Sequence, residues 1–570
     1  MTSTRKPNTG PDVSSIVVRF QKTLCFTGQF GTGEIAMKEN VTRSGINLSP
    51  VYGPSDGNGD YSRRFGNPGE YPFTRGTRAY SGRGWIQREL SGEGDPKRSN
   101  EQFKYLMTLG QTGLDVIGDS PTMSLMDPDH PLARYTVGTQ GVSLCRHDDY
   151  RQLLDGIPLD QMSISSSGPS MFTVASLYLL AKERGVSPGV LRGSVIEWPF
   201  YSEHCSYAYK MPFDLHLRMS CDVIEFCSKE MPRFHGFLED TYFFSEAGLN
   251  AVEEAALGFV EIRHIVRALL ARGLDIDSFA PRIAILTNCS MDFYEEIAKI
   301  RAMRRIFARM MKEEFGAKDP RSQAVNIAVH TSGLSLTTEQ PANNIVRGAV
   351  QTVALGLAGV TALEISTFDE GYRTPSKEAH LVGLRTQQVI DLETNINSVQ
   401  DPFGGSWFME SLTDEVEARI LDMVNEIESL GDPAELVSSG YFKQFFHGTM
   451  GRYHRQVHDR EVLKVGMNVH QMPAEQDTLL RDISEEKIEP LFDRVEEVSA
   501  YRDKRDQKPL LDSLQRLHDV VQTDENMLEA VLECTLAGAT MGEIAGILRQ
   551  AWGTPYDPYG YLESPIGSAQ

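Results

Sequence analysis

The chain predicts an α/β fold, a (β/α)8 barrel with an N-terminal arm and a C-terminal helical extension. Three observations carry that prediction. Short apolar, strand-like runs alternate with amphipathic helical ones roughly eight times over roughly 300 residues, the order of such a barrel. The residues that follow the strand-like runs are polar, as on the face where a barrel keeps its chemistry. After Leu430 the alternation stops and helical patterns alone continue. A doubly wound open sheet shares this periodicity, which does not by itself show closure. The resulting division is an arm over 1–60, a barrel over 61–430 and a helical extension over 431–570.

Residues 1–60 are rich in Gly, Ser, Asn and Thr, with short apolar patches at 16–20 and 24–26, and read as an arm. Within it, Gly28-Gln-Phe-Gly-Thr-Gly33 lacks the Lys-Ser/Thr that completes a phosphate loop and reads as a turn. From Tyr71 the sequence gathers Tyr71, Phe73, Arg75, Arg78, Tyr80, Arg83, Trp85 and Arg88 among glycines. Cationic and stacking groups on so pliable a backbone suit an anionic ligand with a planar ring, and an irregular packed arm is the plainer alternative. Strands are expected at 114–118, 161–165, 193–198, 236–243, 282–286, 325–330, 362–366 and 396–399. The clearest helix covers 292–315, where Phe293, Ile297, Ile300, Phe307, Met311 and Phe315 form a stripe that leaves Arg301, Arg304, Arg305 and Arg309 elsewhere, and Gly316 ends it.

Polar groups at the expected strand ends are Asp119-Ser120, residues 165–168, Glu197, residues 242–246, Asn288, residues 330–333, 366–370 and 400–405. Each is also a natural N-cap for the helix that follows. Beyond 430, helices are expected at 433–446, 510–522, 526–536 and 541–552 around a charged segment, 485–506. His454 and His458 lie one helical turn apart; with no third ligand near and Arg452, Arg455 and Arg460 around them, they read as a basic helix face, and no metal site is expected.

Composition narrows the function classes. In 570 residues, 56 Lys and Arg against 78 Asp and Glu give a formal charge of −22, which argues against a general nucleic-acid or anionic-membrane surface. Local arginines must then do any anion binding. The seven cysteines (Cys25, Cys145, Cys205, Cys221, Cys227, Cys289 and Cys534) are scattered without a CxxC, as in a reducing cytoplasm, where we expect this chain. No apolar run is long enough to span a bilayer, and the polar first dozen residues suggest no secretory signal.

A series of longer motifs adds to this reading: YPFTRG (71–76), Arg83-Gly-Trp85, GQTGL (110–114), Asp127-Pro-Asp-His-Pro131, FAPRIAI (279–285), the run at 295–322, TSGLSLT (331–337), NNIVR (343–347), LRTQQ (384–388) and DPFGGSWFMESLTDEVE (401–417). Together, in this order, they resemble the large, catalytic subunit of the methylmalonyl-CoA mutase family, over Arg64 to Trp552. The resemblance implies a radical isomerase whose barrel threads the pantetheine of an acyl-CoA down its axis, with adenosylcobalamin over the strand ends. The cofactor supplies the radical chemistry and the protein positions and shields it. The Asp-x-His-x-x-Gly pattern of the family's cobalamin domain does not occur in this sequence. The resemblance therefore implies a separate small cobalamin-binding subunit that carries most of the cofactor, and adds a G-protein chaperone as a second partner.

Residue by residue, the resemblance makes Arg83 and Arg88 ligands of the CoA phosphates and sets Ser163, Ser165, Arg282 and His330 among the substrate-binding residues. Tyr242 is the tyrosine of the family's Gly-Tyr-His motif and the catalytic candidate. Glu246, Gly333 and Glu370 match the cobalamin side, Glu370 at the adenosyl ribose. Departures fall where the acyl group is chosen. The loop after Gly76 is shorter, and Leu90 replaces the tyrosine of methylmalonyl-CoA enzymes. Ile196 replaces a glutamine, Ser206 stands where an arginine pairs the free carboxylate of methylmalonyl-CoA, and Phe243 replaces the histidine that bonds the thioester carbonyl. Ser366 replaces an asparagine near the adenosyl site. Burying a second substrate carboxylate without its arginine is strongly unfavourable, so methylmalonyl-CoA is not the expected substrate. Ile117 stands where the 2-hydroxyisobutyryl-CoA enzyme has an aspartate, so its substrate is not expected either. The expected function is an adenosylcobalamin-dependent mutase large subunit for an acyl-CoA without a second carboxylate. The alternatives are a diverged mutase for an unusual substrate or carrier, and a subunit that only binds or scaffolds.

Overall fold

Six residues close the sheet of this protein. In the computed structural model, which describes residues 41–47, 66–79, 84–205, 207, 209–485 and 488–567, Ile86–Arg88 (β1) and Leu90–Ser91 (β2) flank Glu89. They are followed by β3 (Gly113–Val116), β4 (Ser163–Ser166), β5 (Arg192–Glu197), β6 (Phe234–Asp240), β7 (Ile283–Cys289), β8 (Asn326–Thr331) and β9 (Ala362–Glu364). The nine segments form one sheet in the order β1-β9-β8-β7-β6-β5-β4-β3-β2, every pair parallel. Arg88 lies beside Glu364 and Leu90 beside Asp115. β1 and β2 are two halves of one run, so the sheet returns to its start and forms a barrel of eight staves.

Two expectations are corrected. Residues 396–399 are not a strand: Ile396–Ser398 is a single tight turn of helix. The stave assigned there lies instead at 86–91, within the arginine-rich lead-in. It was hidden because its inward Arg88 and outward Glu89 are both charged, and both are buried. Glu89 turns to the outer layer, where Gln387 Nε2 donates to it at 3.0 Å, and Trp85 Nε1 donates to Gln387 Oε1 at 3.0 Å.

The longer helices surround this sheet: α1 (Pro96–Thr108), α2 (Ser170–Glu183), α3 (Phe213–Glu230), α4 (Ala251–Ala271), α5 (Phe293–Arg309), α6 (Ala342–Ala358), α7 (Lys377–Gln388) and α8 (Trp407–Ser429). Their ends follow from sequence. α4 starts at Asn250, whose side chain accepts from Val252 N and Glu253 N while Glu253 returns a bond to Asn250 N. α5 runs into a single π-turn, Met310–Glu314, before Gly316. Its arginines are not on a solvated face. Arg301 and Arg305 are each 1 % exposed, since α8 covers that side and supplies Glu410 (2.6 Å) to Arg301 and Glu417 (2.6 Å) to Arg305. Asp401 also pairs with Arg301, and with Arg75 at 3.0 Å, tying the lead-in to the 401–405 loop.

Beyond 430 come α9 (Tyr441–His458), α10 (Phe492–Lys504), α11 (Gln507–Val521), α12 (Met527–Leu536) and α13 (Met541–Ala551). Leu514, Leu517, Val531 and Ile547 share a core with Leu114, Ile164, Phe172 and Phe226, so these helices thicken the wall outside β3 to β5. A charged clamp fastens them. Arg494 pairs with Asp149 at 2.5 Å, Arg502 with Asp127, Asp129 (2.8 Å) and Glu543 (2.6 Å), and Thr540 Oγ1 donates to Asp127 at 2.6 Å. No helix among the described residues is long and apolar enough to cross a membrane.

Candidate functional site

The lumen is identified by contacts that span non-adjacent staves. At its N-terminal end His235 of β6 meets Asn326 of β8 at 3.2 Å. Higher up, Arg88 Nη2 donates to Ser163 Oγ of β4 at 3.0 Å, and Arg88 Nη1 lies 3.7 Å from Glu364. Ser165 and Ser194 hydroxyls share a bond of 2.7 Å on the neighbouring wall. The alternation of side chains then carries Ile196, Leu238 and Asp240 inward above them, past an irregularity in the β5–β6 register that resets the phase of β6. Glu197 points the other way, into the helix layer, where His216 Nε2 (3.0 Å) and Ser220 Oγ (2.8 Å) meet it.

At the strand ends the chain builds a polar mouth with one aromatic wall. Tyr242 opens a short helix, Tyr242–Glu246, and its ring stacks on His330 with centroids 4.5 Å apart and an 18° tilt. Phe243 beside it sits 5.7 Å from Trp198 and 6.2 Å from Tyr207. Ser366 links the next groups: its Oγ donates to Thr331 O at 2.7 Å and faces His330 Nε2 at 3.2 Å and Glu370 at 3.4 Å. With that proton given to Thr331, Ser366 accepts from His330 Nε2–H, which leaves Nδ1 as the acceptor of a neutral ring. Burial holds His330 down at about 3, so the ring stays uncharged near neutrality.

Glu246 and Glu370 stand on either side of Gly333 and Ser366. Glu246 accepts from Asn288 Nδ2 (2.7 Å), Ser332 Oγ (2.9 Å) and Leu334 N (2.7 Å). Burial raises its carboxyl, and those donors pull it back. Glu370 accepts from Thr367 N at 3.0 Å, yet burial, with the charges of Glu246 and Asp369, pushes it up to about 8. Near neutral pH it is largely a protonated carboxyl that donates as well as accepts. Gly333 keeps the cradle open: a Cβ there would lie 3.0 Å from Glu246 Oε2 and 3.5 Å from the Tyr242 hydroxyl. Asn288 Oδ1 is buried with no hydrogen-bond partner among the described residues. A polyhydroxylated ribose suits this set of carboxyls, amide and open glycine.

Of the residues expected from sequence, Tyr242, Phe243, Glu246, His330, Gly333 and Glu370 come together at this mouth. Leu90, Ser163, Ser165 and Ile196 line the lumen beneath. Arg88 is in the lumen too, 5 % exposed and engaged with Ser163 and Glu364. Arg282 stands apart at the opposite, N-terminal end, where Nη1 donates to Phe234 O at 3.4 Å and burial lowers it to about 10. Arg83, Ser206 and the loop at 28–33 lie outside the described residues. Asp119 is an N-cap, accepting from Thr122 N at 2.9 Å and from Gly138 N at 2.8 Å. Sequence reasoning missed Asp115, Asp240, Glu364 and Trp198. The signal was present in Asp115 and Glu364, each a lone acid inside an apolar strand run.

With this geometry in view, the chain was compared with known proteins. A family model described as methylmalonyl-CoA mutase matches residues 41–554. The 2-hydroxyisobutanoyl-CoA mutase large subunit of Aquincola tertiaricarbonis is 33 % identical over 519 residues, covering 88 % of this chain and 89 % of that protein. The methylmalonyl-CoA mutase of Rhizobium meliloti (strain 1021) is 33 % identical over 517 residues, 90 % of this chain and 72 % of the relative. That of Homo sapiens, mitochondrial, is 32 % identical over 517 residues, 90 % and 68 %.

Proposed function

Because the chain belongs to the methylmalonyl-CoA mutase family, whose members are isomerases, we propose that it is the large subunit of an adenosylcobalamin-dependent acyl-CoA mutase whose substrate lacks a second free carboxylate. The observation that carries this reading is the charge of the lumen and mouth. Asp240 and Glu364 are buried there and Glu246 and Glu370 are half-buried; Arg88 among them is already engaged by Glu364 and Ser163, and Arg43 is close enough to act on Glu246. A substrate carboxylate would meet acids where it needs a cation.

Each group then has a task. Ser163, Ser165 and Ser194 offer small polar contacts along a channel that suits a thin polar chain such as pantetheine. Phe243, Trp198 and Ile196 exclude water from the acyl end. His330, held by Ser366 and stacked on Tyr242, presents a neutral imidazole in the lumen, and Tyr242 is the proposed catalytic residue. Glu370, Glu246 and Gly333 would hold the adenosyl part of the cofactor, which when bound supplies radical chemistry. A relative named as a large subunit supports a small cobalamin-binding partner for this chain, and a G-protein chaperone is a further proposed partner.

The test is reconstitution with a cognate small subunit and adenosylcobalamin, screening acyl-CoAs for rearranged product and for a paramagnetic signal. Glu370→Ala should lower turnover at least about 100-fold, the usual size for one preorganised polar contact, with acyl-CoA binding changed less than about twofold. Lost binding with retained turnover would remove Glu370 from the cofactor site. Silence of the wild-type complex across carriers would favour the scaffold reading, for which Phe243 in place of an imidazole is the supporting feature.

A further inference from the structure

At the C-terminal end of β5 the chain joins the acyl side of the mouth to the helix layer within three residues. Ile196 and Trp198 stand on the acyl side, while Glu197 between them turns outward to α3, where His216 Nε2 lies 3.0 Å from its Oε2 and Ser220 Oγ donates to the same oxygen at 2.8 Å. Tyr209 covers the junction: its ring stacks on His216 with centroids 4.6 Å apart and lies 6.2 Å from Trp198, which in turn sits 5.7 Å from Phe243. A cavity of about 10 Å³ lies among Ser170, Ile196, Glu197, Trp198, Tyr209 and His216. Four atoms of these side chains, Ser170 Oγ, Glu197 Oε1, Trp198 Nε1 and His216 Nδ1, are buried with no hydrogen-bond partner among the described residues. None of the four residues is more than 3 % exposed.

These four atoms ask for one kind of molecule. With Nε2–H donated to the Glu197 carboxylate, Nδ1 of the neutral His216 ring accepts. Glu197 Oε1 accepts too, Trp198 Nε1–H only donates, and the Ser170 hydroxyl does either. A cavity of this size holds one water-sized molecule. An ammonium or alkali cation offers no acceptor to the indole N–H, and a halide offers no donor to Nδ1 or Oε1. Water gives two hydrogen bonds and takes two, which matches the set, and a buried water typically makes about three bonds to groups of this kind.

We propose that this cavity is the site of one bound water that ties the indole of Trp198 to Glu197, His216 and Ser170, and that the indole so held sets how long an acyl group fits beside Phe243. Glu197 and His216 are then positioning residues that act through Trp198 from the helix layer. The water site stands on this chain's geometry alone, while the limit on acyl length rests on the acyl-CoA reading above. The competing account is a packing defect behind β5, with Trp198 held only by its ring contacts.

Two measurements on the full chain test the two parts. In a crystal structure that resolves ordered water, a single density peak should lie about 2.7–3.2 Å from Trp198 Nε1 and from at least one of His216 Nδ1, Glu197 Oε1 and Ser170 Oγ. No peak there, or an indole bonded elsewhere, overturns the water site. In calorimetric titration the wild type should bind butyryl-CoA about 10-fold or more tightly than hexanoyl-CoA, the cost of forcing extra methylenes against a packed wall. Trp198→Phe removes the N–H, and His216→Phe keeps a ring on Tyr209 but removes Nδ1. Each should bring that ratio to within about threefold, and the double variant should do no more than either alone. If His216→Phe lowers the melting temperature and leaves the ratio at its wild-type value, the positioning role is overturned. A wild-type ratio near one with both esters binding overturns the limit on acyl length and leaves the mutase reading standing. Should either variant fail to fold by circular dichroism, Ser170→Ala takes its place, and the wild-type density and ratio still decide. Failure of both esters to bind overturns the acyl-CoA reading, and the density alone then decides the water site.

Discussion

Buried acids in the clamp and in the lumen have opposite surroundings. In the clamp, Arg146 donates to Asp149 at 2.8 Å and Arg494 at 2.5 Å, while Arg502 and Arg505 converge on Glu543. In the lumen, Glu364 has one guanidinium at 3.7 Å, and Asp240 pairs with no lysine or arginine among the described residues. Charge state follows for Asp149 and Glu543, though not for Asp127, which burial holds above its ordinary range despite Arg502. Burial would raise Asp149 and Glu543, but Arg494 and Arg146 overcome it at the first and Arg505 and Arg502 at the second, so both sit below the ordinary range. Glu364, Asp240 and Glu370 sit above it. An acid given its arginine is finished and holds structure; an acid left protonated keeps hydrogen-bonding capacity for something else.

That contrast can be broken from either side. The largest effect should come from Arg494→Ala, which takes one of two guanidiniums from the fully buried Asp149 and should cost about 3 kcal/mol in urea unfolding. The next lies in pH. Glu370 has a folded value of about 8, above its unfolded one, so its contribution to stability is whole below the unfolded value near 4.5 and falls away as pH rises through 8. Glu370→Gln should flatten the melting-temperature decline across that window, by no more than one proton's slope, about 1.4 kcal/mol per pH unit. Asp149 has the opposite sign, its contribution present above the unfolded value and lost as acid protonates it below pH 4. Gly333→Ala, which presses a methyl on Glu246, should cost about 1–3 kcal/mol by calorimetry. Ser194→Ala, losing the bond to Ser165, should cost about 0.5–1.5 kcal/mol. Equal slopes in the wild type and Glu370→Gln between the unfolded value near 4.5 and about 8 would mean that the lumen acids are no different from the clamp's.

Seven of the eight expected strands were legible because each is an apolar run bounded by polar residues, and their ends moved by a few positions at most. The eighth was misplaced because periodicity counts apolar residues, and the stave at 86–91 carries Gln87, Arg88 and Glu89. The same limit left the arginines of α5 without an assigned surrounding: nothing local in 292–315 announces that α8 will cover Arg301 and Arg305 with carboxylates. The cofactor-side candidates Glu246, Gly333 and Glu370 were legible through long motifs and do meet at one mouth. Asp115, Asp240 and Glu364 were not, since a resemblance points only to residues a family shares, and their meaning depends on staves remote in sequence facing one lumen.

The broken stave also sets the order in which the barrel can be made. β1 finds its partner only at Ala362–Glu364, so at roughly 5–20 residues per second of synthesis the two wait about 14–55 s for each other. Until β9 emerges, the growing sheet has two raw edges, one on the first stave and one on the newest strand. The clamp to the final helices comes later still, because Arg494 and Arg502 follow every strand. A nascent chain stopped between β8 and β9 should therefore present open sheet edges to chaperones, and one stopped after β9 should present a closed barrel that still lacks its fastening.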